Sequence, residues 1–449
     1  MELSAQNSLI ELDRLSREQG DPLYLVGGSV RDTLRGEGPV DLDFAGPCAL
    51  KMARLLANQT GHPLVPLDKT PGRETYRVVL DKNLFFDFTT MQGKTIEADL
   101  AQRDFTINAM ALSLPDFAKG NKIPIDPFNG QDDLRNKIIR VVPGPAFEED
   151  PLRLLRAFRF ASTLGFTIEP DTLAQIKTHK EKLGNTARER VSYELLILFG
   201  APHSHLEQLN QTGLIEVLFP EIAQLKSKPG TRPNTSAWED TRNAFMELEN
   251  ILMHPDLFLE DHAPLIKKYI SENHHYALLK WSTLMRTAAG ENLSISDITG
   301  ILRDFRLSNA DIQFIERTLQ FSKWVLSESR SATRGFEQDP AVYRLVKQSG
   351  HELISSLLLS LAVRLGYQED IKFFIQSINR ILDFYIETYI PAQDRPVLLN
   401  GEVLKKRFKL SPSPLFKDIL EKVEEARVLG TISTKEEAEQ LARELISSH

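Results

Sequence analysis

Residues 25–32 read Leu25-Val26-Gly27-Gly28-Ser29-Val30-Arg31-Asp32, and residues 39–44 read Pro39-Val40-Asp41-Leu42-Asp43-Phe44. An apolar run enters a glycine pair, and an Asp-x-Asp pair follows thirteen residues after the second glycine. Successive side chains of a strand alternate faces, so Asp41 and Asp43 share one face while Leu42 turns to the core. Two carboxylates this close repel unless a divalent cation lies between them. Hard oxygen ligands suit Mg²⁺, which commonly takes one or two carboxylates plus substrate phosphates. Its chemistry there is Lewis-acid polarisation and in-line attack on an α-phosphate. Gly27 and Gly28 fall between the strand and a predicted helix Val30–Leu34, where glycine permits close backbone approach and helix-start amides favour phosphate. Arg31, one turn in, is placed to clamp phosphate oxygens. The alternative is a surface Asp-x-Asp and an ordinary Gly-Gly turn.

The chain has 449 residues, 41% hydrophobic and 26% charged, with a net charge of -8. That is globular composition, long enough for two to four domains. An acidic total argues against a non-specific nucleic-acid binder but leaves room for a local basic groove. The single cysteine, Cys48, excludes an intramolecular disulfide and a cysteine zinc cage. A reducing cytoplasm is the expected setting. Met1–Asn7 does not read as a signal or transit peptide. The apolar stretch Ser355 to Val363 is far short of the about 20 residues a membrane span needs, so no membrane partner is expected.

Residues 1–142 contain β-type runs: Tyr24–Val26, Leu42–Phe44, Tyr76–Leu80, Leu84–Phe88 and Ile138–Val142. Asp81-Lys82-Asn83 has hairpin-turn composition between two of them. Asp87 lies on the strand predicted next to Asp41 and Asp43, a candidate third carboxylate that would orient an attacking hydroxyl. Pro143-Gly144-Pro145 punctuates the chain, and beyond it helical spacing dominates. The fold class expected is α+β, a small α/β head followed by a long all-helical remainder. Lys226 to Ser236 reads as a loop.

Two further clusters carry polar chemistry. In Gln102-Arg103-Asp104-Phe105-Thr106-Ile107-Asn108 an Arg-Asp pair opens an expected helix. Arg103 and Asp104 would bond sugar hydroxyls, or Asp104 is simply its N-cap. In Glu149-Asp150-Pro151-Leu152-Arg153-Leu154-Leu155-Arg156-Ala157-Phe158-Arg159, Pro151 suits a first helical turn with Asp150 as cap. Arg153, Arg156 and Arg159 form a slowly drifting stripe, and Asp150 and Arg153 are i, i+3 neighbours. A carboxylate accepts from an exocyclic amine, and an arginine donates to the adjacent ring nitrogen. Cytosine and adenine present that pattern; guanine and uracil present its reverse. Asp150 with Arg153 would select C and A without a template. The alternative is a helix salt bridge worth ~0.3–0.5 kcal/mol.

Together the blocks resemble class II tRNA nucleotidyltransferases and the related bacterial poly(A) polymerases: LVGGSVRD…DLDF, QRDFTINAMAL, DPFNGQDDLRNKIIRVV, EEDPLRLLRAFRFASTLGF and RERVSYELL, in order. The resemblance implies a nucleotidyltransferase head with a polymerase-β-like sheet over residues 1–142 and a base-reading helical neck over 143–205. A helical body over 206–335 and a tRNA-binding helical tail over 336–449 complete it. By it, Asp41 and Asp43 are the metal carboxylates, and Gly28 and Arg31, beside Gly27, contact the triphosphate. Arg103 and Asp104, with Asn108 nearby, read the ribose; Asp150 and Arg153 read the base; Arg156 and Arg159 make further nucleotide contacts. Glu189, Arg190 and Glu194 match a block that braces the neck. The implied partners are a tRNA 3′ end, CTP and ATP, with Mg²⁺ as cofactor.

Three departures refine this. Gln102 stands where the family usually has arginine. Where many members carry a metal-dependent phosphohydrolase (HD) segment, this chain reads Trp238-Glu239-Asp240-Thr241 and, later, Leu284-Met285-Arg286-Thr287-Ala288, so the histidine ligands are missing and no phosphohydrolase activity is expected. His274 and His275 are expected at the surface. Finally, only Met91 to Gln102 connect Thr90 to Arg103, whereas CCA-adding relatives usually have a longer flexible loop. That points to addition of C, with CC addition favoured over full CCA. The rival within the class is a poly(A) polymerase using ATP alone; outside it, a non-catalytic RNA-binding protein. Lys405-Lys406-Arg407-Phe408-Lys409 is the densest basic run, a phosphate-contact candidate or a solvated helix end.

Overall fold

The computed structural model describes residues 3–38, 41–72, 74–82, 84–288, 294–330 and 339–448. Pro39, Val40 and the turn residue Asn83 lie outside them. The chain divides into two compact units, Met1–Leu198 with Ser204–Leu218, and Phe199–His203 with Phe219–His449.

The first unit is built on a six-stranded mixed sheet. Its strands are β1 (Tyr24–Val26), β2 (Asp41–Gly46), β3 (Leu64–Asp68), β4 (Thr75–Asp81), β5 (Leu84–Thr90) and β6 (Ala111–Ser113), in the order β3-β4-β5-β2-β1-β6. Only β2 and β5 run parallel; the other neighbours are antiparallel. Alternation along β2 and β5 sends Leu42, Phe44, Phe86 and Phe88 to one face. There they pack with Leu9, Leu12, Met52 and Leu56 of helices α1 (Leu3–Gln19) and α3 (Ala49–Thr60). Phe44 stacks on Phe88 and meets Phe86 edge-on. Truncating such a fully buried phenylalanine to alanine costs about 3–5 kcal/mol. The opposite face carries the acidic residues and a smaller cluster of Val26, Ala45, Ile96, Leu100 and Ala111. Helix α2 (Gly28–Leu34) links β1 to the approach of β2.

Three strands arise where the sequence signalled none. β3 is polar and proline-containing, and pairing with β4 alone makes it a strand. β6 follows directly on the stretch that the Arg103-Asp104 pair was expected to open as a helix. Instead Thr106–Asn108 form one 3₁₀ turn, Phe105 bridges Val141, and residues 111–113 pair with β1. Gly130 explains the crowding, since a Cβ there would lie 2.2 Å from the Thr106 carbonyl oxygen. Tertiary pairing overrides helix propensity here. The strand expected at 138–142 shortens to β7 (Ile138–Ile139), paired in parallel with β8 (Thr167–Ile168).

Two longer helices follow in the first unit. Helix α4 (Arg153–Leu164) ends at Gly165 in the left-handed region, and α5 (Arg188–Gly200) follows later in the chain. The cap of helix α4 falls at Leu152, two residues beyond the expected Asp150, whose Oδ1 instead accepts from the Leu152 amide at 3.3 Å.

The regular elements of the second unit's described residues are all helices, with one isolated bridge between Pro229 and Ser236. The helix Leu353–Gly366 packs on Ala237–Met253, with Gly366 against the Ala244 backbone, where a Cβ would come within 2.6 Å. Asp240 is buried, and its Oδ2 accepts from the Thr231 amide at 2.5 Å. His274 is exposed as expected. His275 is not a plain surface residue: its ring lies between Tyr269 and Phe314, and Nδ1 approaches the Tyr269 carbonyl at 2.8 Å. Stacking on two aromatics holds it half-buried. A separate small core of Leu399, Leu404, Ile419, Val423, Ala438 and Ala442 builds the C-terminal segment. Among the described residues no helix is long and apolar enough to cross a membrane.

Candidate active site

The parallel register sets Asp43 opposite Asp87 and Asp41 opposite Phe85, and the β4·β5 register sets Arg77 opposite Asp87. All three carboxylates lie on the sheet face away from the phenylalanine core. Arg77 Nε and Nη2 donate to Asp87 Oδ1 and Oδ2, each at 2.8 Å, the two-point geometry of a strong ion pair. Burial, followed by the charge of Asp87, pushes the Asp43 carboxyl up to about 6, against the opposing pull of Arg103 and Ser29. Burial likewise raises Asp41, with Asp87 adding to it and Arg77 opposing. Negative charge thus exceeds what the fold neutralises. Asp41 Oδ1 is moreover buried with no hydrogen-bond partner, an acceptor that a bound cation would satisfy. Asp41 and Asp43 fit a hard divalent cation on both counts. Among the described residues no three acidic, histidine or cysteine side chains form a complete metal cage. A metal held here would therefore draw its other ligands from phosphate and water.

The glycine turn borders these carboxylates. Gly27 has φ +66°, and a Cβ there would lie 3.1 Å from Arg103 Nη1 and 4.0 Å from Asp43 Oδ2. The missing side chain keeps a backbone surface open between a cation and a carboxylate. Ser29 Oγ accepts from the Asp43 amide at 2.8 Å and lies within donating distance of Asp41 O and Asp43 Oδ2. It staples α2 to β2 and fixes the rotation of Asp43. Arg31 donates to Asp32 Oδ1 and Oδ2 and, through Nη1, to Asn108 Oδ1 at 2.9 Å.

From Asn108 the contacts continue into helices α4 and α5. Its Nδ2 donates to Asp104 Oδ1 at 3.2 Å, and Asp104 Oδ2 accepts from Arg156 Nε and Nη2 at 2.9 and 2.6 Å. Burial alone would raise the Asp104 carboxyl; the charge and hydrogen bonds of Arg156 outweigh it and hold the group below its ordinary value. Glu194, buried on α5, takes Arg156 Nη1 at 3.2 Å and Arg159 Nε at 2.5 Å. Burial lowers the Arg159 guanidinium despite Glu194. The Phe160 ring has the guanidinium carbons of Arg159, Arg156 and Arg31 at 3.9, 5.2 and 5.6 Å from its centroid. Arg31, Asn108, Asp104, Arg156 and Arg159 are therefore one connected network. Arg103 is held separately: Nε and Nη2 donate to Asp99 Oδ2, whose Oδ1 accepts from the Gln92 amide.

Asp150 and Arg153 are not paired with each other, as their i, i+3 spacing suggested. Arg190 takes the Asp150 carboxylate, Nη2 to Oδ2 at 2.9 Å and Nη1 to Oδ1 at 3.3 Å. Arg153 donates instead to the carbonyls of Gln102 and Ala146, at 2.6 and 3.2 Å. Three contacts of the candidate site escaped sequence reading. Arg77 was available from the hairpin register, Asp99 from its i, i+4 spacing to Arg103, and Ser29 had no signal beyond its place after the glycines. A cleft of about 550 Å³ lined by Cys48, Lys51, Arg54, Asn58, Tyr76 and Thr90 opens by Pro47, beyond the far end of β2 from Asp41.

Residues 23–140 match the family described as the Poly A polymerase head domain, and residues 165–226 the probable RNA and SrmB-binding site of polymerase A. The CC-adding tRNA nucleotidyltransferase of Halalkalibacterium halodurans is 33% identical over 305 residues, 64% of this chain and 74% of that protein. The chain belongs to the tRNA nucleotidyltransferase family. The transferase head expected from the sequence blocks is thereby borne out. The A-adding tRNA nucleotidyltransferase of Deinococcus radiodurans is 29% identical over 443 residues, 92% of this chain and 93% of that protein. The CC-adding tRNA nucleotidyltransferase of Geobacter sulfurreducens is 41% identical over 192 residues, 42% of this chain and 43% of that protein, so this match spans less than half of either. Among solved structures, a Thermotoga maritima CCA-adding enzyme complexed with tRNA aligns over 100% of this chain and 96% of its own, with 25% identity and a TM-score of 0.71.

Proposed function

We propose that this tRNA nucleotidyltransferase adds C, as CC, to the 3′ end of tRNA from CTP, without a template and with release of pyrophosphate. The observation that supports C addition is the tight connection between β5 and Arg103. Its residues 96–100 form a helix (Ile96–Leu100) capped by Thr95, and Asp99 ties both ends, holding the Gln92 amide and the Arg103 guanidinium. The longer flexible loop usual in CCA-adding relatives has no counterpart in this stretch. A second reading, addition of the terminal A alone, draws on the match along nearly the whole Deinococcus A-adding enzyme, and a CC-adding relative of Synechocystis matches over an equal share.

In this reading Asp41 and Asp43 hold Mg²⁺, which when bound supplies Lewis-acid polarisation of the α-phosphate. The chain's own residues do the rest. Gly27 and Gly28 present backbone to the triphosphate, and Arg31 and Arg103 supply donors beside it. Asp87, fixed by Arg77, stands on the face where the attacking 3′-hydroxyl is oriented. Asp104 and Asn108 read the ribose, and Asp150 and Arg153 read the amine-plus-acceptor edge of C or A. Arg156 and Arg159 complete the nucleotide pocket through the network with Glu194. Lys405, Lys406 and Arg407 in the tail supply phosphate contacts once they leave Glu402 and Glu439, their acidic neighbours.

The test uses Mg²⁺, one nucleoside triphosphate at a time, and a tRNA lacking CCA. CTP should be incorporated with pyrophosphate release, and Asp41→Ala should lower incorporation by at least about 10³-fold. Incorporation by Asp41→Ala near the wild-type rate would refute the assignment.

A further inference from the structure

We propose that the cleft beside α3 is a nucleotide site separate from the acidic one, taking a nucleoside monophosphate either free or as an unpaired residue of an RNA strand.

The sheet itself sets this cleft apart. Tyr76 lines it and stands opposite Phe88 in the β4·β5 register, so its ring is on the phenylalanine face. Asp41, Asp43 and Asp87 are on the other face. The opening by Pro47 also lies past Gly46, the end of β2. At about 3.3 Å per strand residue, Gly46 is roughly 16 Å from Asp41.

The two walls carry opposite chemistry. Lys51, Arg54, Leu55 and Asn58 recur at i, i+3, i+4 and i+7, so they share one side of α3. Lys51 is taken by Asp21, Nζ to Oδ2 at 2.6 Å, but among the described residues Arg54 has no carboxylate partner. The strand wall carries Glu74 and Thr90, side by side because the Thr90 amide donates to the Glu74 carbonyl at 3.0 Å. Hydrogen bonds from its own amide and that of Gly72 hold the Glu74 carboxyl below its ordinary value. It is therefore an anion, and among the described residues no cation is paired with it. Between the walls, Tyr76 and Leu55 pack half-buried against the core and form an apolar floor.

A ligand matched to this cleft has an anionic end, hydroxyl donors and a flat body. A nucleoside monophosphate has all three. Its phosphate meets the Arg54 fork, and its ribose hydroxyls donate to Glu74. Its base lies on Tyr76 and turns an edge to the Asn58 amide. The volume of about 550 Å³ suits a ligand of that size. A zwitterionic amino acid matches the two charges but leaves most of the space unfilled.

The experiment photolabels the full chain with 8-azidoadenosine 5′-monophosphate, in chelator and without tRNA, and maps the adduct by peptide mass spectrometry. With metal and tRNA both left out, the result does not depend on which nucleotide the enzyme adds. The label should fall within residues 47–58 or 74–90 and be displaced by excess AMP. Arg54→Ala should raise the AMP concentration for half displacement about tenfold, and Glu74→Gln should raise it less. Arg103→Ala, beside Gly27, should leave the cleft label unchanged. Displacement by hexa-adenylate below the AMP concentration identifies an RNA strand as the source; displacement by AMP alone identifies the free nucleotide. Label only outside the cleft overturns the proposal. So does cleft label that excess AMP does not displace, that Arg54→Ala leaves unchanged, or that Arg103→Ala abolishes.

Discussion

Asp43 stands directly opposite Asp87 in the parallel pair of β2 and β5, yet the two carboxylates have different partners. Asp87 is gripped at two points by Arg77, whereas Asp43 lies beside the hydroxyl of Ser29. This asymmetry separates their roles. Asp87 is a fixed, neutralised acceptor. Asp43, with Asp41, keeps the charge that, in the proposed function, a metal balances.

Asp43→Asn should stabilise the metal-free protein. The Asp43 carboxyl is raised to about 6 in the folded state, above its unfolded value, so the folded state holds that proton more tightly. The stability this proton confers is present below the unfolded value and is lost as pH rises through about 6. At pH 7.5, with chelator present, the asparagine variant should gain about 1–2 kcal/mol over wild type, and the gain should vanish near pH 4. Thermal unfolding across pH checks this. Mg²⁺ should raise the midpoint of wild type and leave that of the variant unchanged.

Arg77→Leu should do the reverse. It leaves Asp87 without its cation beside Asp41 and Asp43, and the partly buried pair makes the loss about 1–3 kcal/mol. Chemical denaturation of wild type, Arg77→Leu, Asp87→Asn and the double variant checks it. The double variant should be less destabilised than Arg77→Leu alone.

Much of this arrangement was legible in the residues, because it depends on alternation. Asp41 and Asp43 declare a shared face through the apolar residue between them, and Asp87 follows from the same period on a neighbouring strand. Gly27 needed its positive φ, and a glycine pair after an apolar run is the usual way to supply one. The misreadings have a common cause. The stretch 104–110 has helix-compatible composition, but β1 pairs with the residues just after it and Gly130 packs close against the Thr106 carbonyl from across the fold. Asp150 and Arg153 have salt-bridge spacing, but Arg190, forty residues on, reaches the carboxylate first. Local sequence encodes period and propensity; it does not encode which distant side chain arrives. Glu194 shows the same limit, since the sequence blocks mark it as a brace without naming Arg156 and Arg159 as what it braces.

Glu194→Gln should destabilise the first unit by about 2–4 kcal/mol, because two guanidinium groups lose their buried carboxylate. Hydrogen exchange of the full chain should localise the loss to α4 and α5. Incorporation should fall as well, since Arg156 would be left to Asp104 alone. Unchanged protection in α4 would contradict this account of the neck.

The most direct test is the length and sequence of the product. The wild-type protein, given Mg²⁺, CTP and ATP together and a tRNA lacking CCA, should extend it by two nucleotides, both C, and stop. A product ending in CCA, addition of A only to a tRNA already ending in CC, or a long A tail would contradict the central claim.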